Sequence, residues 1–239
     1  VVTVSGPGHR RPGFAVVDVE TTGFSPADER LVEVAVVVLD PGGDEVDAFA
    51  TLLDPQRDPG PTHIHGISAA MVAGAPSFAA AHPHVADRLS GRVVVGHNVD
   101  RFDLPFLRAE CRRTGGERLV PGPVPSVDTL AVAQGLLGWR GRARLVDCCG
   151  HFDLTWEDHH SALGDARVTA ALFRSMRERL GDEALGIADL LARAAVTAWP
   201  SADRVRPTGF APTPRGDRRR PLVASAGDRW GTDGGPVIR

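Results

Sequence analysis

The sequence predicts an α/β domain in which a mixed sheet is flanked by helices, and three observations carry that reading. Val-rich apolar runs of strand length crowd the first part of the chain, strand-like and helix-like segments alternate after them, and the last regular segments repeat their apolar residues at helical spacing. Strands that come first and then alternate with helices leave part of the sheet antiparallel and part parallel.

Phe14 to Val19 and Leu31 to Leu39 are short, Val-rich and bounded by Gly and Pro, which predicts strands; Glu45 to Leu53 is a third candidate. Asp54 to Pro61 is a Pro-rich loop, and Ser77 to Leu89 reads as a helix entered after Pro76. Arg92 to Val95 is a further buried strand. Pro105 suits the first turn of a helix running to Arg113, and a Pro-rich loop, Val120 to Pro125, precedes another helix over Asp128 to Leu137. From Asp165 the apolar residues Val168, Leu172, Phe173, Met176 and Leu180 keep helical spacing, and Asp182 to Trp199 forms one more amphipathic helix. The domain is expected over 13–199, after an N-terminal segment 1–12; beyond Pro200 the Pro, Gly, Arg and Ser content predicts a flexible tail or linker over 200–239.

At 239 residues, with 42% hydrophobic and 24% charged residues, the chain can bury a sizeable core, which excludes wholesale disorder. No apolar run approaches the roughly 18 residues of a membrane span, and Val1 to Gly13 lacks a signal-peptide segment, so a cytoplasmic protein without membrane contact is expected. Cys111, Cys148 and Cys149 form no CxxC pair and read as small buried residues in a reducing compartment. All 27 basic residues are Arg, a bias that weakens any single Arg as a functional signal. The net charge of −3 hides an acidic body and a tail of +4, so nucleic-acid binding has to be read from a site and not from composition.

Carboxylates supply that site. Asp18 and Glu20 lie two apart at the end of an apolar strand, so alternation turns both to one face; a strand end fraying into solvent is the plain alternative. Asp165 falls on the core-facing stripe of its helix, where an acid is costly unless paired or metal-bound, although a first-turn acid also complements the helix dipole. The segment Gly96-His97-Asn98 through Asp103 follows a strand directly, the place where open α/β sheets build their sites. Asn98, the only Asn in the chain, is a candidate substrate-binding residue; a turn residue with unusual backbone angles is the alternative. Acids converging from a strand and two helix starts would repel one another unless hard divalent cations, Mg²⁺ or Mn²⁺, neutralise them, and a pair of such ions serves in-line phosphodiester displacement. His160, five residues before Asp165, then stands at the rim as a general base; the alternative is an ordinary surface histidine, and His159 beside it shows how cheap the residue is.

Together, Asp18-Val19-Glu20-Thr21-Thr22-Gly23, His97-Asn98 through Phe102-Asp103, and His160-Ser161-Ala162-Leu163-Gly164-Asp165 resemble the three motifs of the DEDDh 3′→5′ exonucleases, the family that includes the epsilon proofreading subunit of bacterial replicative polymerase. The resemblance covers about Gly13 to Leu180. It implies a ribonuclease H-like fold, with a mixed five-stranded sheet whose first three strands are antiparallel. It also implies that Asp18, Glu20, Asp103 and Asp165 bind two divalent ions and that His160 deprotonates the attacking water. The implied product is a nucleoside 5′-monophosphate from the 3′ end of single-stranded or frayed DNA. Thr21, Thr22, Gly23 and Phe24 resemble the segment that holds the terminal nucleotide. His65-Gly66-Ile67 resembles the family's HGI-type loop, with Ile67 as a wedge partnering Phe24; core packing is the alternative for both. The spacing from Asn98 to Asp103 is one residue longer than the epsilon-like pattern and is similar to that of the animal three-prime repair exonucleases.

The same carboxylates would serve an exoribonuclease, and a binding module that has lost catalysis is the alternative from another class, disfavoured because all five motif residues are present. Trp139 to Arg144 mixes an aromatic with three Arg and could grip a single strand, or be an ordinary basic turn. The tail could engage a protein partner.

Overall fold

The computed structural model describes residues 13–135, 138–139, 143–156, 160–200 and 210–215. Its centre is a five-stranded sheet. The strands are β1 (Phe14–Thr21), β2 (Leu31–Leu39), β3 (Glu45–Leu52), β4 (Val93–Gly96) and β5 (Ser126–Asp128), in the order β3-β2-β1-β4-β5. β1 pairs antiparallel with β2 and β2 with β3, whereas β4 joins β1 in parallel and β5 joins β4 in parallel. This is the mixed sheet expected, with its first three strands antiparallel. The helices are α1 (Thr62–His65), α2 (Ala69–Val72), α3 (Phe78–Leu89), α4 (Asp103–Gly115), α5 (Thr129–Gly135), α6 (Leu145–His151), α7 (Ala162–Leu180) and α8 (Ile187–Ala195). Four of these elements, β5, α1, α2 and α6, were not expected: each spans three to seven residues, too short for a periodic pattern to register.

Strand alternation sorts the apolar residues into two cores. Ala15, Val17, Val19, Val34, Val36 and Val94 face α3 and α4, while Phe14, Val16, Ala35, Val37, Val93 and Val95 face α7 and α8. β1 and β2 are buried along their whole length, which is why they read as continuous Val-rich runs and not as alternating ones. On the α7 face, Phe14 meets Phe173 edge-on with ring centroids 4.9 Å apart. All three cysteines are free and buried, and burial pushes the thiol of Cys111 up to about 12. No helix among the described residues is long and apolar enough to cross a membrane.

Two features were not read from the sequence. Residues 210–215 fall in the segment expected to be a flexible tail, yet they pack along β3: Leu52 N–H donates to Thr213 O at 2.8 Å, Thr213 N–H donates to Thr51 Oγ1 at 3.0 Å, and Phe210 stacks on His84 with ring centroids 4.3 Å apart. A β edge with free donors and acceptors takes up such a segment without needing periodicity in it. The second feature is His82 in α3, 1% exposed, with neither ring nitrogen hydrogen-bonded among the described residues.

Burial holds the His82 pKa below the usual imidazole value. The unfolded chain therefore binds the proton more readily, so the stability that neutral His82 secures is present above about pH 6.5 and is lost as the pH falls toward its folded pKa, at up to about 1.4 kcal/mol per pH unit. Chemical denaturation at pH 7.5 and 5.5 should show a steeper acid loss in wild type than in His82→Leu.

Candidate metal centre and nuclease site

The site lies where β1 runs out of sheet. Asp18 and Glu20 follow Phe14 and Val16 on the α7 face of the strand, and Asp165 lies in the first turn of α7. Carboxylate oxygens of these three residues lie within 4.8 Å of one another, and the residues are 8%, 5% and 2% exposed. Three anions at that spacing, largely out of water, repel strongly unless a cation joins them. An all-oxygen donor set of this kind fits a hard divalent ion, so the residues present fit the metal that the sequence motifs imply.

Asp103, the first residue of α4, lies outside that group of three but is tied to the same strand. It is 2% exposed, and its Oδ1 accepts the Val19 N–H at 3.1 Å, between the two strand acids. The fourth motif acid thus arrives next to β1 through its backbone.

The start of α7 is held from several directions. Ser161 caps it, its Oγ accepting the Gly164 N–H at 3.1 Å. Glu33 of β2 reaches the same helix end, its Oε2 accepting the Ala162 N–H at 3.1 Å. The Trp156 indole donates to Asp165 Oδ1 at 3.1 Å. Partners that orient a ligating carboxylate usually matter about 10–100-fold for metal affinity or activity. Trp156→Phe should accordingly weaken Mn²⁺ binding by about tenfold while keeping the fold, which calorimetric titration and far-UV circular dichroism would check.

His160 immediately precedes the α7 cap; it is exposed and has a φ of 62°, a left-handed conformation that is uncommon outside glycine. His159 lies outside the described residues. Of the two adjacent imidazoles, the described one belongs to the residue next to the α7 cap, held at a strained backbone position.

After Glu20 the β1–β2 register slips, and the chain leaves the sheet through Thr21 and Thr22. Thr21 Oγ1 donates to Gly23 O at 2.6 Å, Thr22 N–H donates to Arg30 O at 2.9 Å, and Thr22 Oγ1 donates to the Glu29 carboxylate. Gly60, at φ +84°, backs onto this turn: a Cβ there would lie 2.2 Å from the Thr22 carbonyl oxygen, so only glycine lets the two backbones meet. Arg113 Nη2 holds the loop's far side through the Pro26 and Ala27 carbonyls at 2.6 and 2.8 Å. The product is a braced loop with Phe24 projecting, 55% exposed.

The remaining expected residues divide. Ile67 is fully buried with Val32, Leu52, Val72 and Ala75, which is the core-packing alternative; in this conformation it has no surface to present to a base. Asn98 takes the unusual turn angle, φ 66°, and its N–H donates to Asp128 Oδ1 at 2.9 Å. His97 is a brace, with Nδ1 2.9 Å from Thr129 Oγ1 and Nε2 2.8 Å from the Ala143 carbonyl. Trp139 packs edge-on against His151, and Arg144 pairs with Asp147, while Arg140, Gly141 and Arg142 lie outside the described residues.

Sequence reasoning passed over Glu33, Asp128 and Trp156. Glu33 had a signal, since it interrupts an apolar strand, at a position only 2% exposed. Asp128 opens α5 and gathers the Asn98, Leu130 and Ala131 N–H groups; burial raises its pKa against those bonds. Trp156 had none, because its contact depends on the path of a loop.

A family model described as an exonuclease, RNase_T, matches residues 15–173, a span that contains all four acids and His160. The chain belongs to the RNase_T exonuclease family. Within this exonuclease family it is similar to the PolC-type DNA polymerase III of Oceanobacillus iheyensis, 34% identical over 169 residues that make up 70% of this chain and 12% of that one. It is also similar to the DNA polymerase III subunit epsilon of Treponema pallidum, 33% identical over 70% of this chain and 78% of that one. The chain thus spans about an eighth of the PolC-type relatives that it matches. Among solved structures, E. coli exonuclease I in complex with a dT13 oligonucleotide shares the fold at a TM-score of 0.62 and 19% identity, over 74% of this chain and 43% of that one. Exonuclease I of Methylocaldum szegediense does so at 0.62 and 21%, over 74% and 43%.

Proposed function

We propose that this protein is a metal-dependent 3′→5′ exonuclease that releases nucleoside 5′-monophosphates from single-stranded or frayed DNA ends. The observation that carries the reading is the buried group Asp18, Glu20 and Asp165, with oxygens within 4.8 Å of one another, inside an exonuclease-family chain. These three and Asp103 would hold two divalent ions, Mg²⁺ or Mn²⁺. Such ions, when bound, polarise the phosphate and make water a stronger nucleophile.

The chain's own residues do the rest. Thr21, Thr22 and Gly23 hold the terminal nucleotide, and Phe24 offers an exposed ring for its base to stack on. Asn98 sits at the turn that delivers the second motif. Ile67 would reach a base only if α1 and α2 shifted. His160 takes the proton of the attacking water; the new bond forms between that oxygen and phosphorus, the P–O3′ bond breaks, and the departing O3′ takes a proton from solvent to become the 3′-hydroxyl of the shortened strand. The nuclease domain is taken as 13–199, and the three free cysteines suit a reducing, cytoplasmic setting.

Matched 5′-labelled DNA and RNA oligonucleotides, incubated with Mg²⁺, Mn²⁺ or EDTA, test the reading. The expected result is a DNA ladder shortening from the 3′ end only when a divalent ion is present. A faster RNA ladder would change the substrate, and cleavage indifferent to EDTA would overturn the metal mechanism.

A further inference from the structure

Glu33 does not cap α7 alone. Arg215, from the segment that packs along β3, places Nη1 2.6 Å from Glu33 Oε2, the same oxygen that accepts the Ala162 N–H. Both side chains are buried, at 7% and 2% exposure. Glu33 is the register partner of Glu20 across the β1–β2 ladder, and Ala162 opens the helix turn that carries Asp165. Glu33 therefore joins the distant C-terminal segment to the helix turn that carries Asp165, from a position opposite Glu20 in the β1–β2 ladder.

Arg215 is a poor choice for stability alone. Its Nε and Nη2 are buried without a hydrogen-bond partner among the described residues, an arrangement that costs folding energy. What it does provide is a positive charge beside Glu33. Without that charge, Glu33 would be a further buried anion next to Glu20, drawn to the same cation as Asp18, Glu20 and Asp165 and no longer held to the Ala162 N–H.

We propose that Arg215 is a positioning residue of the metal centre: by binding Glu33 it keeps that carboxylate on the N-terminus of α7 and out of the ligand set, so that Asp165 is held where the cation needs it. The segment 210–215 is then a strap that completes the site from the far end of the chain. This inference rests on the nuclease reading above.

The test compares wild type, Arg215→Ala and Arg215→Lys in the full chain, reading Mn²⁺ affinity by calorimetry and kcat and KM on a single-stranded oligonucleotide, at a temperature where circular dichroism shows each variant folded. Arg215→Ala should weaken Mn²⁺ binding and lower kcat, each by about tenfold or more, with KM changed less than twofold. Arg215→Lys should recover most of both, because only one guanidinium nitrogen bonds Glu33 and an ammonium can replace it. Should Arg215→Ala not fold, Arg215→Gln, which keeps the volume and removes the charge, carries the same expectation. Arg88→Ala, which removes an ion pair to Asp47 on the same sheet edge, should lower stability and leave Mn²⁺ affinity unchanged. A folded Arg215→Ala or Arg215→Gln with wild-type affinity and kcat would reduce the strap to a structural brace and overturn the inference. Wild type that neither binds Mn²⁺ nor cleaves would overturn the nuclease reading itself, and the inference with it.

Discussion

Asp18→Ala, Glu20→Ala and Asp165→Ala should each cut metal-dependent cleavage by about 10³-fold or more, since ligand loss forfeits several kcal/mol of charge stabilisation and each 1.4 kcal/mol is about tenfold in rate. Asp18→Ala and Glu20→Ala should leave the metal-free protein as stable as wild type or more so, whereas Asp165→Ala gives up the Trp156 indole bond and should gain less. Each removes one of three buried anions whose oxygens lie within 4.8 Å of one another, and the repulsion among them falls accordingly. Asp103→Ala should behave differently: it should lose activity, but it also removes the buried hydrogen bond from the Val19 N–H, so stability should fall. Single-turnover rates in Mg²⁺, paired with urea denaturation in EDTA, would separate the two patterns. Full activity in any two of the four variants would remove the metal-site assignment.

His160→Ala should lose about 10²–10⁴-fold in rate, the usual worth of general-base assistance, while retaining metal and DNA binding; His159→Ala should lose far less. Only His160 has the motif spacing to Asp165, and it enters the α7 cap with a left-handed φ that directs the chain into the helix at that point. A base must be neutral to accept a proton, so wild-type cleavage should fall on acidification, and the His160→Ala profile should lose that limb. Single-turnover rates of both variants from acid to mildly alkaline pH decide the matter. Equal losses, or a larger loss in His159→Ala, would place the base on the wrong histidine.

What was legible in the chain and what was not divides along the range of the interactions. Val-rich runs marked β1, β2 and β4 because strands buried on both faces must be apolar throughout, and the spacing of Val168, Leu172, Phe173 and Met176 marked α7 because one face of a long helix has to meet the sheet. The acids Asp18, Glu20 and Asp165 stood out for the opposite reason, as charges at positions whose local pattern called for burial. Phe24 and Ile67 show the limit of that logic. Both are apolar and both sit in motif-like segments, yet the braced loop leaves Phe24 55% exposed, and the packing of α1 and α2 on Val32 and Leu52 buries Ile67 completely.

By itself, then, the sequence determined the apolar strands and long helices, their order and the identity of the motif acids, since each depends on periodicity or on a charge out of place within a few residues. Tertiary structure alone decided that Asp103 hangs from the Val19 N–H, that the Trp156 indole holds Asp165, and that Arg215 crosses β3 to reach Glu33. Those contacts join residues that loops and other elements bring together, and a hydrogen bond between side chains so placed leaves no periodic trace in either segment, because its geometry is set by how the elements pack and not by the spacing of residues along the chain.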